Sequence, residues 1–569
     1  MQVWEPYALG ETTAVRAGAL ELALAGAADA KVTQVADRTW LIDAPEATAA
    51  QWRVPCVRVS AFWTPLGGTR WVPPIWSAPL VSRLTAGAPV VSLIGTAGAN
   101  VCTVGLAEPV AQVSFTGGVM EETGEFVFTL HGDGLRIRLD LSERPFSAAV
   151  ADLAAWWKDD ASDLPPAPDR ARLPVYSTWY SMHQEVTAES VELQARLAKE
   201  LGCETIIVDD GWQTADRTRG YAFCGDWEPN PAAFPDIPTH VARVRELGMS
   251  YMLWYALPFV GKHNAAFERF EGKFLRYLDH MDAAVLDPRH PEVREFLIDR
   301  LVQAVETWGM DGLKIDFVDR FATPGGDPAP GEGTDCTDVD EGVRRLLHDL
   351  DARLRRTRPD VLIEHRQPYT SPGLWPYANM IRAVDCPLSS QENRQRTVDL
   401  RLAAGPVAVH SDMIVWHPDE PAEQVAVHLI NALFSVPQIS VDLAVQRPDQ
   451  LAAIRFWLGI FHRYLGTLQL GTLRPEQPEH GYPLVRAYDD HTTIVARYAA
   501  LPVDVPESGE LLVANADSDP RVVLYGTGSA HVEVHDCGGA PVRAATLALE
   551  PGACVVEVPM GGLLTLRRD

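Results

Sequence analysis

Over roughly the first 150 residues, apolar and polar positions alternate in short runs such as FVFTLHG (126–132) and LRIRLDL (135–141), interrupted by Gly and Pro. Period two marks strands with one face on a core, and many short strands between turn residues predict a β-sandwich. An apolar, Trp-containing helix, AAVADLAAWW (148–157), follows it, and the prolines of DLPPAPDRARLP (163–174) mark a linker. From there the pattern changes period. Apolar runs of strand length alternate with amphipathic helices: PVYSTWY (174–180), TIIVDDGW (205–212), SYMLWYAL (250–257), DGLKIDF (311–317), DVLIEHRQP (360–368), MIRAVDCP (380–387), PVAVHSDM (406–413) and QISVDL (438–443). Eight strands, most followed by a helix, predict a (β/α)₈ barrel. The rival is an open doubly wound sheet, but no GxGxxG or Walker A pattern follows the first strand. After about residue 475 the helices stop, and HTTIVARYAA, GELLVANA, RVVLYG, AHVEVHD, ACVVEVP and LLTLRR read as six separate strands.

The fold class is therefore multidomain α/β and β. It comprises an N-terminal β-sandwich with a linker helix (1–165), a central (β/α)₈ TIM barrel (170–470) and a C-terminal antiparallel β domain of sandwich type (475–569). A chain of 569 residues exceeds one core, which agrees with three units and leaves room for a deep pocket.

Charge narrows the partners. Against 49 Lys and Arg stand 76 Asp and Glu, a formal charge of -27, which argues against nucleic acid, anionic membrane or a polyanionic substrate. A neutral, hydroxyl-rich ligand stays open. The eight cysteines show neither CxxC pairs nor Cys/His ligand spacing, so reduced thiols and a cytoplasmic setting are expected. MQVWEPYALGETTAV lacks the basic and apolar regions of a signal peptide, and no apolar run is long enough to span a membrane.

In a barrel, reactive groups sit where strands end at the C-terminal face. Asp209 and Asp210 close the second strand, Trp254 lies late in the third, and Lys314 and Asp316 close the fourth. His365 and Arg366 close the fifth, Arg382 and Asp385 the sixth, with His410 and Asp412 on the seventh. Any one strand-end Asp is ordinarily a loop or helix cap; so many polar strand ends together call for a ligand. Lys314 and Asp316, two apart, share a face, and the ammonium is expected to hold Asp316 ionised as a nucleophile. Cleavage of an acetal needs a second carboxyl as acid, which Asp385 supplies unless it only pairs with Arg382.

VDDGW (208–212), GDWEPNPAAFP (225–235), LDPRHPEVREF (286–296) and GLKIDF (312–317), in this order, resemble the bacterial α-galactosidases of glycoside hydrolase family 36. The resemblance covers nearly the whole chain. It implies a retaining exo-glycosidase for terminal α-galactosidic linkages of melibiose or raffinose type, with no metal or organic cofactor and a small oligosaccharide as partner. It implies Asp316 as nucleophile, Asp385 as acid/base, and Asp209 and Asp210 as acceptors for the O4 and O6 hydroxyls. Trp212, Trp254, Lys314, His365, Arg366 and Arg382 complete the substrate contacts, His365 and Arg366 more by bracing neighbouring carboxylates. A tryptophan of the first domain, Trp63, Trp71 or Trp76, covers the sugar or fills the sandwich core. Family members often assemble, and the acidic surface neither requires nor forbids it.

Two departures from the family's pattern stand out: Ile315 where many members carry Trp, and IEHRQPYTSPG (363–373) in place of a Cys- and Gly-rich loop that approaches the C2 side of the sugar. Alternatives within the same mechanism are therefore another α-sugar, such as an α-N-acetylgalactosaminide, or transfer to a sugar acceptor as in raffinose synthases. A metal-dependent barrel enzyme is disfavoured because the Lys314 ammonium competes with a cation for Asp316. A non-catalytic carbohydrate-binding protein is disfavoured by the presence of both carboxyls.

Overall fold

The computed structural model describes residues 9–568 apart from 67, 71–79, 108–111, 162–163, 217 and 219. Two of the three tryptophans considered above, Trp71 and Trp76, lie outside the described residues.

Alternation in the first segment folds into two antiparallel sheets of six and seven strands. Between them lie the large apolar side chains that period two directs inward, including Trp52, Phe62, Phe126, Phe128 and Ile137. The linker helix, Phe146–Asp160, packs its apolar face on strand Asn100–Leu106 and on barrel helix Ser390–Ala403. Its Trp157 donates from Nε1 to the Leu106 carbonyl, 2.6 Å, and meets Trp375 edge-on at 6.3 Å. The helix thus wedges sandwich against barrel.

The barrel strands are Val175–Ser177, Thr205–Val208, Ser250–Ala256, Gly312–Asp316, Leu362–Arg366, Met380–Arg382, Ala408–His410 and Gln438–Ile439. All pairings among them run parallel, and the eighth pairs with the first. Between the seventh and eighth, among the described residues, only the single bridges His410–Val436 and Ile414–Ile439 close the ring. Helix ends follow their local chemistry. Thr187 caps Ala188–Leu201 in a reciprocal box with Ser190, and Gly202 ends it in a left-handed turn; Asp338 caps Val339–Thr357 by accepting from Glu341 N.

Register determines which side chains meet inside the barrel. Trp254 lies beside Lys314 and Lys314 beside Glu364, while Arg366 lies beside Arg382 and Arg382 beside His410.

Two features differ from the sequence reading. Residues 259–286 form a three-stranded antiparallel sheet beyond the third barrel strand, ordered Phe259–Gly261, Ala283–Leu286, Phe274–Leu278. In the last segment, RVVLYG and AHVEVHD belong to one strand, Arg521–His535, paired with Pro541–Glu557. The glycines that look like a break mark a register shift between Gly526 and Gly528, a bulge that bends the strand without ending it. The last sheet has eight strands and its own core; most pairs are antiparallel, while Thr492–Arg497 with Glu510–Asn515 and Val503–Asp504 with Arg521–His535 run parallel.

All eight cysteines are free. Among the described residues no helix is long and apolar enough to cross a membrane.

Candidate active site

At the C-terminal ends of the strands a pocket of about 380 Å³ is lined by Asp209, Asp210, Lys314, Asp316, Arg382 and Asp385, with Trp254 and Arg366. Eight of the ten residues singled out from the sequence come together there.

Asp209 and Asp210 reach one pocket because the chain turns between them and Trp212. Gly211 sits at φ 111°, and a Cβ there would lie 2.5 Å from the Gln184 backbone, so only glycine fits. Asp209 accepts from Lys314 Nζ at 2.5 Å on Oδ2 and from Asp210 N on Oδ1. Asp210 accepts from Gln184 Nε2 at 2.7 Å and Gln213 Nε2 at 2.9 Å. Each carboxylate oxygen has two lone pairs, so these contacts leave acceptor capacity for ligand hydroxyls. Burial, with the charge of Asp209 adding, pushes the Asp210 carboxyl up to about 6 against the two glutamine bonds.

Asp316 closes the fourth strand and is 6% exposed. The ammonium two residues earlier is not its partner: Lys314 turns to Asp209, and Arg366 takes its place, donating from Nε to Asp316 Oδ1 at 2.5 Å. Phe317 N donates to the same oxygen at 2.8 Å, and Trp254 Nε1 donates to Oδ2 at 3.0 Å. Burial alone would raise this carboxyl. The charge of Arg366 first, then Lys314 and Arg382, with the Trp254 bond, overcomes burial and holds Asp316 well below the usual carboxylate range. Phe317 adopts φ 65°, a left-handed conformation that costs a bulky residue about 1–3 kcal/mol. That conformation delivers its N–H to Asp316 while its ring lines the pocket under the Arg366 guanidinium, 5.0 Å away.

Asp385 stands at the rim with its side chain 53% exposed. Arg382 Nη1 donates to Asp385 Oδ1 at 3.0 Å, to Asp412 Oδ1 at 2.5 Å and to the Ala383 carbonyl at 2.9 Å. Burial opposes the charge of Asp385, and Arg382 outweighs it, so the carboxyl lies below its ordinary value.

Two sequence-chosen residues are not in the pocket. Trp212 is fully buried beneath it, donating to the Trp254 carbonyl at 2.9 Å and packed on Trp227, Tyr255 and Trp308. His365 faces away from the barrel axis into a separate, largely apolar cavity with Tyr369, Leu374 and Leu400, and burial pushes its imidazole down to about 3. The reason is period two: on the fifth strand Glu364 and Arg366 share the inner face, and His365 takes the outer one. Trp63 likewise lies in the core, its Nε1 donating to Asp399 at 2.6 Å.

The structure adds residues that the sequence did not single out. Trp179, Tyr221, Phe317 and Met413 supply apolar walls. Glu364 lies fully buried below Lys314, where burial pushes it up to about 7. Its signal was its spacing of two from Arg366. Tyr221 comes from a loop without periodicity and left none.

Residues 168–379 match the Melibiase family model. The chain is similar to Alpha-galactosidase 2 of Pediococcus pentosaceus, 27% identical over 211 residues, 35% of this chain and 28% of that protein. It is also similar to Alpha-galactosidase AgaA of Geobacillus stearothermophilus, 24% identical over 170 residues, 29% and 23% of the two chains. The alignments thus span about a quarter of those relatives' length. In fold the agreement is wider. The crystal structure of the GH36 α-galactosidase AgaA superposes with TM-score 0.64 at 14% identity, covering 96% of this chain and 81% of that one. TtGalA of Thermus thermophilus, solved with p-nitrophenyl α-D-galactopyranoside, gives 0.59 at 19%, covering 84% and 98%. The resemblance to family 36 read from the sequence holds. The melibiase match ends at residue 379, before Arg382 and Asp385, so that part of the pocket lies beyond the matched segment.

Proposed function

We propose that this chain is a retaining exo-α-galactosidase acting on small oligosaccharides in the cytoplasm. The observation that carries this reading is Asp316, buried and held ionised by Arg366, in one pocket with Asp385 and the Asp209–Asp210 pair. The relatives bearing the name α-galactosidase support the sugar, and the eight free thiols support the compartment.

The hydrogen bonds assign the two oxygens of Asp316 different work. Oδ1 already accepts a charge-assisted bond and a backbone N–H, whereas among the described residues Oδ2 accepts only the Trp254 indole. Oδ2 is thus the better nucleophile, and Oδ1 becomes the ester carbonyl. Attack by Oδ2 on C1 forms the glycosyl ester while the bond from C1 to the leaving oxygen breaks, and that oxygen takes the Asp385 proton. Loss of the Asp316 charge then lowers the proton affinity of Asp385, which takes a proton from water as the water oxygen attacks C1 and releases Asp316. Asp209 and Asp210 accept hydrogen bonds from O4 and O6, a contact that rejects sugars lacking those hydroxyl positions. Trp254, Tyr221 and Phe317 close the apolar faces.

The test is a hydrolysis panel of 4-nitrophenyl α-galactoside, α-N-acetylgalactosaminide, α-glucoside and β-L-arabinopyranoside, with Asp316→Asn as blank. Cleavage of the α-galactoside above all others is expected. Preference for another sugar, or no cleavage at all, overturns the reading.

A further inference from the structure

Asp412 is fully buried at the end of the seventh strand, and nothing in the mechanism above uses it. Its carboxylate is a node. Oδ1 accepts from Arg382 Nη1 at 2.5 Å, and Oδ2 accepts from Cys386 N at 2.6 Å and from the Tyr180 hydroxyl at 3.1 Å. Its own backbone is clamped on both sides by the Asn393 amide, which accepts from Asp412 N and donates to Asp412 O, each at 3.0 Å. The residues on Asp412, Arg382 and Cys386, bracket Asp385 in the chain. One carboxylate therefore fixes both ends of the segment that presents Asp385.

The same node divides a charge. Arg382 Nη1 is shared by Asp385 and Asp412, and it lies closer to Asp412. A general acid must carry its proton at the start of the reaction, and an arginine given wholly to Asp385 would oppose that. We propose that Asp412 is a positioning residue that takes a share of the Arg382 charge from Asp385, and so limits how strongly that arginine opposes the protonated form Asp385 needs as acid. The proposal rests on the glycosidase reading of Asp385. Among the described residues, the other charged or titratable groups around Asp385 are Asp316 and Lys314 on the fourth strand, Arg366 on the fifth, Tyr180 after the first and the adjoining Cys386 thiol.

The experiment compares kcat/KM against pH for wild type and Asp412→Asn on two substrates. Raffinose has a sugar alkoxide as leaving group and needs the acid; 4-nitrophenyl α-galactoside has a phenol that leaves without one. Without the Asp412 charge, Arg382 belongs to Asp385, and the basic limb for raffinose is expected to move down by about 1 pH unit. The limb for the nitrophenyl substrate stays in place, so above the limb the preference for the activated substrate rises about tenfold. A purely structural role would lower both substrates together and move neither limb. Tyr180→Phe removes one hydroxyl from Asp412 and moves the raffinose limb the same way by less, which keeps the test available if Asp412→Asn does not fold. A wild type that cleaves both substrates while neither variant moves the raffinose limb overturns the role of Asp412 alone. A wild type that cleaves neither overturns the galactosidase reading and this role with it.

Discussion

Arg366 Nε lies 2.5 Å from Asp316 Oδ1, joining the ends of the fifth and fourth barrel strands through a guanidinium that is itself seated over the Phe317 ring. This pair, ahead of the charges of Lys314 and Arg382, holds Asp316 as a carboxylate. Replacing Arg366 with Met removes the largest favourable charge, so Asp316 protonates at higher pH. The acidic limb of kcat/KM is expected to move up by about 1 unit or more, measured on 4-nitrophenyl α-galactoside. Arg366→Lys keeps the charge without the fork and should fall between the two. An unmoved acidic limb in Arg366→Met removes Arg366 from this role.

Asp316 and Asp385 should separate by leaving group. Asp316→Asn lacks the nucleophile and is expected to be inactive on every substrate. Asp385→Ala should lose most of its activity on raffinose and retain much more on the nitrophenyl substrate, because an activated phenol needs no proton. Equal losses on both would take Asp385 out of the acid role.

The eight strands were legible because a barrel strand is buried on both faces and reads as an apolar run, and polar ends such as Asp209, Asp316 and Asp385 stand out against it. Partner choice was not legible. Lys314 and Asp316 share a face, yet register sets Lys314 beside Trp254 and Glu364, and the salt bridge goes past the third strand to Asp209 at the end of the second. His365 failed for a reason present in the sequence: one residue's difference in a strand moves a side chain to the other face, which the choice of two consecutive residues ignored. Trp212 failed for one that was not, since the turn at Gly211 sends it beneath the pocket. Tyr221 and Trp179 approach from irregular or short segments whose direction no periodicity encodes.

Asp210 makes ligand affinity pH-dependent. Its carboxyl, pushed up to about 6, loses its charge as pH falls through that value, and a protonated carboxyl is a poorer acceptor for a sugar hydroxyl. Free galactose, titrated as a competitive inhibitor, is expected to bind more weakly at pH 5 than at pH 7. Asp210→Asn should bind weakly at both values, with the pH dependence removed.

Lys314 and Asp209 are both almost wholly buried, with side chains 3% and 5% exposed. Removing one partner leaves a buried charge alone, at a cost of about 3–5 kcal/mol. Lys314→Met should therefore lower the thermal midpoint strongly, and adding Asp209→Asn should restore part of it. If the double variant is no more stable than Lys314→Met, the pair is not the source of the loss. Neither variant should turn over substrate, because Asp209 and Lys314 both line the pocket.

Asp399, on barrel helix Ser390–Ala403, joins the three parts of the chain: its Oδ1 accepts from Trp63 Nε1 of the sandwich and from the Tyr482 hydroxyl just before strand Leu484–Tyr488 of the last sheet. Burial pushes its carboxyl from the ordinary 3.8 up to about 7, against both hydrogen bonds. For an acid raised on folding, the unfolded chain gives up the proton first. The contribution to stability is then complete below about 3.8 and is lost as pH rises through about 7. Between pH 5 and 8 the loss is on the order of 3 kcal/mol. Asp399→Asn carries no proton to lose, keeps an oxygen for Trp63 and Tyr482, and should be indifferent to this window. Thermal midpoints of the two proteins across it are expected to converge or cross as pH rises, with the wild type falling relative to the variant. Parallel curves would show that Asp399 is ionised throughout, and that the junction between sandwich, barrel and last sheet rests on a charged carboxylate.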